Sequence, residues 1–346
     1  MNVQKKRVAY LDILRVIAIF TVFFIHTGDA GIHYYLNASS QAGYWIGTFM
    51  ATASQHCVPL FFMITGALLL KKEESIGYVL RHRVLRMAVV IVLTMGFMYC
   101  LRVLGGGQAG LYDFFYLLYS GTGWPQQWFL YTYISVLLIL PFLQKLVRAI
   151  PGKAWFHYLF ILYLFLNGAL PIVEYFMQWT RTPLEIPMFG PYVVCAMAGY
   201  YVEQLSGDTF MKARNILLLN VAAFALLLLE TCLNHTALLR DGSIMAFGGE
   251  FALVTAMTLF VDVRYLCTRS QIPAMAQKVI SFMGAGTFGC YLIDEQLRGV
   301  CRPIFDALLP GIGTYPAVFV WIACSLVLGM ILSNIVKKIP FFGKLI

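Results

Sequence analysis

The stretch Tyr10-Leu-Asp12-Ile-Leu-Arg15-Val-Ile-Ala-Ile-Phe-Thr-Val-Phe-Phe-Ile-His26 sets three ionisable side chains into an otherwise apolar run. A run of this kind suits the hydrocarbon core of a bilayer, which is about 30 Å thick and takes roughly 20 apolar residues as helix. A charged or titratable group at that depth is costly, so it is expected to face a protein interior and to serve a function. At about 100° per residue, Arg15 and His26 fall about 20° from whole turns, and Asp12 and His26 about 40°. A helix therefore puts all three on one face, with Arg15 and His26 separated by a rise of roughly 16 Å. Asp12 and Arg15 stand at i, i+3, the spacing of an ion pair on a helix.

The rest of the chain has the same character. Its 346 residues are 60% hydrophobic and 12% charged, with mean hydropathy +0.76, about half the charge of a typical soluble domain at roughly 25%. The reading is an all-α, polytopic transmembrane helical bundle with both termini cytoplasmic. Ten spans are expected, at roughly 8–28, 41–70, 84–104, 127–149, 154–170, 186–205, 214–231, 245–266, 279–301 and 315–336. The second is overlong and is expected to tilt or to extend beyond the bilayer. The fifth is short, and 105–126 has room for an interfacial or re-entrant segment. No loop is long enough for a soluble domain and no internal repeat is evident, so 1–346 reads as a single integral-membrane domain.

Charge supports the count independently. With an inside N-terminus, the cytoplasmic side collects nineteen Lys and Arg: Lys5, Lys6, Arg7, the group from Lys71 to Arg86, Lys145, Arg148, Lys153, Lys212, Arg214, Arg264, Arg269, Lys278, Lys337, Lys338 and Lys344. The outside collects five, namely Arg102, Arg181, Arg240, Arg298 and Arg302. This is the positive-inside asymmetry, and an odd number of spans would destroy it. The net charge of +9 is therefore topological. No basic, aromatic-interleaved soluble segment suggests nucleic acid as a partner. Lys5-Lys6-Arg7 ahead of an apolar run has the look of a signal peptide, but no small-residue cleavage site follows and Asp12 and Arg15 interrupt the run.

Several motifs are excluded by context. The eight cysteines form no CxxC pair and no Cys/His cluster of zinc spacing, so no metal is expected. Gly284-Ala-Gly286-Thr-Phe-Gly289 matches GxGxxG, yet it follows no strand and opens a span, so it reads as glycine for helix packing. Asn37-Ala-Ser39 and Asn234-His-Thr236 match the glycosylation sequon on expected outer loops. Nothing in the sequence indicates the secretory context that would make those sequons meaningful.

The other candidate groups are Arg83 and Arg86, at i, i+3 where the third span leaves the cytoplasm. Guanidinium forks there suit phosphate oxygens. His56, Glu230, Glu250, Asp262 and Asp294 complete the intramembrane polar set. His56 sits mid-span, away in depth from His26, while Glu250 and Asp294 lie toward the outer side, where either could share a cavity with His26.

These residues carry a resemblance. Tyr10 to His26, with Arg15 and His26 separated by ten residues, resembles the opening of the type 3 integral-membrane acyltransferases. Val58-Pro-Leu-Phe-Phe-Met-Ile-Thr-Gly66 resembles that family's second-helix "PLFFxxSG" segment, with Thr65 for the usual Ser. Arg83-Val-Leu-Arg86 resembles its Arg-x-x-Arg element, and Trp128-Phe-Leu130 its "WFL" segment. One departure is Asp294 after Tyr291-Leu-Ile293, where the family often has a His.

The resemblance implies a bacterial inner-membrane O-acyltransferase. The donor would be cytoplasmic acyl-coenzyme A, chiefly acetyl-coenzyme A, and the acceptor a hydroxyl of an extracytoplasmic or lipid-linked glycan. Separate glycan-assembly proteins would be partners. Arg83 and Arg86 would hold coenzyme A phosphates, Arg15 would assist the donor along its path, and Asp12 would hold Arg15 or orient part of the site. His26 would be the general base or, in a rival chemistry, a transient acyl carrier. A membrane transporter of a small molecule or polysaccharide on the same fold is the competing reading. It has no need of the combination of Arg15 and His26 with Arg83 and Arg86.

The charge asymmetry has a direct test. In a cysteine-free background, single cysteines within 29–40 or 232–244 should react with an impermeant maleimide from outside intact cells. Those within 71–83 or 337–346 should react only after permeabilisation. Labelling of a cysteine at Lys72 from outside would reverse the orientation.

Overall fold

The computed structural model describes residues 8–107, 110–180, 182, 184, 189–205, 212–242, 247, 249 and 251–345. Its helices are α1 Ala9–Ile25, α2 Gln41–Ala53, α3 Cys57–Leu69, α4 Ile76–Leu104, α5 Leu111–Ser120, α6 Trp128–Ala149, α7 Lys153–Met177 and α8 Pro191–Gln204. They continue as α9 Ala213–Asp241, α10 Ala252–Arg269, α11 Ala274–Leu292, α12 Asp294–Ile312, α13 Thr314–Val336 and the short α14 Pro340–Leu345. Among the described residues there is no strand. Six helical segments there are long and apolar enough to cross a membrane: Gln41–Leu69, α4, α6, α7, α9 and α13. Several apolar helices of this kind make a multi-pass membrane protein, since a helix satisfies all its backbone groups within hydrocarbon.

Two compact units divide the chain. The first comprises Met1–Ala67 and Gly152–Ile335, the second Leu68–Pro151 and Val336–Ile346.

In the first unit, the helices approach through glycine. A Cβ on Gly66 would overlap the Ala196 carbonyl, and one on Gly199 would overlap the Met63 carbonyl. The two glycines thus sit reciprocally at the crossing of α3 and α8, the way close membrane helix pairs are made. Gly66, the last residue of the "PLFF" segment, is there for contact with backbone. The expectation for Gly284, Gly286 and Gly289 holds as well. A Cβ on Gly284 would lie 2.5 Å from Asp12 Cβ on α1, and one on Gly286 would lie 2.9 Å from Met330 Cα on α13. A Cβ on Gly289 would lie 2.6 Å from Ser333 Cβ. α11 is thereby pressed between α1 and α13.

The boundaries correct the sequence reading in three places. The overlong second segment keeps nearly its expected bounds, at Gln41–Leu69, and tightens into a 3₁₀ turn at Ser54–His56 between α2 and α3. The supposedly short fifth span is 25 residues long. A wide π turn at Phe165–Ala169 precedes Pro171, and such a turn relieves the clash of a proline ring with the carbonyl four residues back. α9 continues to Asp241 through the expected outer loop, so Asn234 is a helical residue, 3% exposed, and no glycosylation acceptor. The expected span 279–301 is two helices, because Ile293 (φ −126°, ψ 25°) turns the chain after Leu292 and α12 starts with Asp294. α12 is charged along much of its length, at Asp294, Glu295, Arg298, Arg302 and Asp306, which hydrocarbon would not accept as a continuation of α11.

In the second unit, 105–126 does contain a short helix. α5 has ten residues and exposes Tyr112, Phe115, Tyr116 and Tyr119. α6 carries Pro141 in its interior and buries Leu130, Leu137 and Leu140.

The glycine crossing predicts that Gly199→Leu destabilises the protein by about 3 kcal/mol or more, since overpacking against backbone cannot be relieved by a rotamer change. Thermal unfolding in detergent should show a clear fall in midpoint for Gly199→Leu and almost none for Gly77→Leu, where a Cβ meets open space.

Candidate active site

α1 ends at Ile25, and His26 caps it with its amide donating to the Val22 carbonyl at 3.1 Å. Its Nδ1 is hydrogen-bonded to Oδ2 of Asp294, the first residue of α12. Asp294 is 2% exposed and His26 20%. Arg298, one turn along α12, donates Nε to Asp294 Oδ1 at 2.8 Å and Nη1 to the His26 carbonyl at 2.5 Å. Trp321 on α13 donates its indole N–H to the Arg298 carbonyl at 2.9 Å. A single chain of hydrogen bonds thus ties the end of α1 to α12 and α13.

The electrostatics follow from position. A carboxylate this buried would be strongly destabilising alone, and both of its oxygens are engaged by cationic or polar donors. Asp294 also lies in the first turn of α12, where the helix dipole favours an anion, and Arg298 lies at the C-terminal end of α1, where it favours a cation. The outcome is an oriented ring. Nδ1 is committed to Asp294, which leaves Nε2 as the nitrogen available to a substrate.

Lower on the same helix, Arg15 Nη1 donates to Asp12 Oδ1 at 2.5 Å. Asp12 is fully buried against Gly284 and Arg15 is 23% exposed. α1 is an unbroken helix, so this pair and His26 keep the spacing and shared face read from the sequence.

Arg83 and Arg86 lie in the second unit. Arg83 makes a two-pronged pair with Glu74, Nε to Oε2 at 2.6 Å and Nη2 to Oε1 at 2.5 Å. Glu74 is itself placed by Gln144, whose Oε1 accepts the Glu74 amide at 3.2 Å while its Nε2 donates to the Leu69 carbonyl at 3.0 Å. Arg86 is exposed and donates Nε to the Leu345 carbonyl at 3.0 Å. The Arg83 fork is thus already filled by a carboxylate, whereas Arg86 faces solvent.

The remaining polar candidates separate. Glu230, 2% exposed, accepts the Phe251 amide at 3.1 Å, and Asp262 accepts the Asn220 side-chain amide at 2.9 Å. Both serve helix packing. His56 lies in the 3₁₀ turn, and Glu250 lies outside the described residues. Sequence reasoning placed Arg298 only among the outer charges and so missed its role. The i, i+4 spacing of Asp294 and Arg298 was the available signal, hidden by assigning both to a span or its edge.

A family model described as an acyltransferase domain, that of the type 3 acyltransferases, matches residues 8–336. The chain belongs to the type 3 acyltransferase family. The protein is a membrane acyltransferase, a transferase of groups other than aminoacyl groups. No curated protein and no solved structure matches the chain.

The acyltransferase has a pH-sensitive pair in its second unit. The Arg83 hydrogen bond holds the Glu74 carboxyl below the usual carboxylate range. A depressed value means that the pair stabilises the fold fully above the unfolded carboxyl's pKa, about 4.3, and that this is lost as pH falls through the folded value. The unfolding midpoint of Glu74→Gln should therefore lie below that of the wild type by a constant gap from pH 7 to about pH 5, and the gap should close in more acid buffer. A pH-independent gap would show that the ionised carboxylate is not what matters.

Proposed function

We propose that this acyltransferase moves an acyl group, acetyl in the first instance, from cytoplasmic acyl-coenzyme A to a hydroxyl of an extracytoplasmic or lipid-linked glycan. The observation that carries the reading is the His26–Asp294 pair, reinforced by Arg298. Nε2 removes the acceptor's hydroxyl proton as the oxygen attacks the thioester carbonyl. The C–O bond forms, the C–S bond breaks, and the departing thiolate takes the proton back from the imidazolium. Asp294 orients the ring and stabilises its charged form, as a carboxylate does for a general-base histidine.

The Asp12–Arg15 pair supports a donor path along the same face of α1. Arg86, with Arg83 once released from Glu74, would hold coenzyme A phosphates. The nineteen to five charge asymmetry supports cytoplasmic termini and a ten-span arrangement in a bacterial inner membrane, with His26 toward the outer side. Glycan-assembly proteins would then supply the acceptor.

Purified protein given radiolabelled acetyl-coenzyme A and a glycan acceptor tests this. His26→Ala should lose about 10²- to 10⁴-fold in turnover while still binding donor, and Asp294→Asn should fall between it and wild type. Arg83→Glu/Arg86→Glu should instead weaken donor affinity by roughly 10- to 150-fold, the equivalent of about 1.5–3 kcal/mol for charge-assisted hydrogen bonds. Label retained on wild-type protein without acceptor, and absent from His26→Ala, would identify an acyl-histidine. Substantial transfer by a folded His26→Ala protein would sink the reading.

A further inference from the structure

The 3₁₀ turn Ser54–His56 lies within the 29-residue apolar helical segment from Gln41 to Leu69. Its other polar side chains are satisfied locally. Ser54 Oγ donates to the Ala51 carbonyl at 2.7 Å, and Gln55 Nε2 reaches the same oxygen at 3.5 Å. His56 is different. Its Nδ1 lies 2.5 Å from the Ala53 carbonyl, which can only accept, so Nδ1 carries the ring proton. In the neutral ring Nε2 is then a lone-pair acceptor. That atom is buried and has no hydrogen-bond partner among the described residues. A buried polar atom without a partner costs about 1–3 kcal/mol and calls for a water or a ligand.

The position narrows the ligand. The turn packs against α1 and α10. Ala51 and Cys57, on either side of it, share a buried cluster with Ile19, Val22, Phe23 and Phe24 of α1. These α1 residues lie between Arg15 and His26, so the turn that carries His56 is joined to α1 through the cluster that covers this stretch.

We propose that Nε2 of His56 accepts a hydrogen bond from an amide N–H of the acyl donor's pantetheine arm. The proposal rests on the acyl-coenzyme A reading above. Its shared chemistry is an N–H or O–H donor in an apolar surrounding, and an acceptor hydroxyl is the other source. The donor arm is favoured because it is the extended group that would run from Arg15 toward His26. His56 then holds the arm while His26 does the chemistry, and the tautomer fixed by Ala53 makes Nε2 selective for a donor.

The test compares wild type, His56→Leu and His56→Gln, each checked for a monodisperse elution profile. Coenzyme A binding is measured by titration, and steady-state kinetics use acetyl-coenzyme A, S-acetylpantetheine and an S-acetyl alkanethiol of matched length without amides. One neutral hydrogen bond is worth roughly 2- to 15-fold. His56→Leu should weaken coenzyme A binding and raise KM for the two amide-bearing donors by about that factor, with kcat within about twofold. The effect should vanish with the amide-free thioester, and His56→Gln, which keeps an acceptor oxygen, should recover much of it. Coenzyme A affinity unchanged in His56→Leu overturns the proposal, as does a rise in KM for the glycan acceptor alone. Coenzyme A binding absent from the wild type overturns the donor reading and this inference together.

Discussion

The close approach of α1 to α11 is the contact on which the first unit depends. Gly284 has no side chain, and Asp12 occupies the space that one would fill. A larger residue there would push α1 outward and expose a carboxylate that is now fully buried against its own arginine. The same approach governs the far end of α1. α11 ends at Leu292, the chain turns at Ile293, and Asp294 arrives beside His26. One glycine contact thus helps to locate both polar ends of a single helix.

Low dielectric sets the cost of every polar group in such a protein. The buried carboxylates described here illustrate three ways of meeting it. Asp12 is met by a guanidinium on its own helix, and Asp294 by a guanidinium on its own helix together with an imidazole at the end of another. Glu230 accepts a backbone amide from another segment. Only the second arrangement leaves a titratable ring with a nitrogen directed elsewhere, which is what general-base chemistry needs. Removing one partner of such a buried network leaves the others uncompensated, so these groups behave as a unit.

Much of this was legible in the chain. The register of Asp12, Arg15 and His26 survives because α1 is a regular helix, and periodicity within one helix needs no tertiary information. The glycines of α11 were recognisable because a phosphate loop requires a preceding strand and a membrane helix pair requires small residues. Element ends were less legible. Hydropathy averages over a window, so it joined α11 to α12 across Ile293 and stopped the α7 helix short of Met177. The pairing of Arg83 with Glu74, nine residues earlier, was not legible either, because nothing between them shows the turn that brings the two together.

By itself, then, the sequence determined a multi-pass helical protein, the face of α1 that carries its polar groups, and a histidine at the end of that face. These are properties of composition and local period, which a helix preserves wherever it is packed. The acyltransferase reading came instead from the resemblance of its motifs to a known family. Only the tertiary structure decided which acid partners His26. Asp294 is 268 positions away, and whether it meets the imidazole depends on where α11 stops, how Ile293 turns and how closely glycine lets the helices come. Those are contacts between distant segments, and no window along the chain contains them.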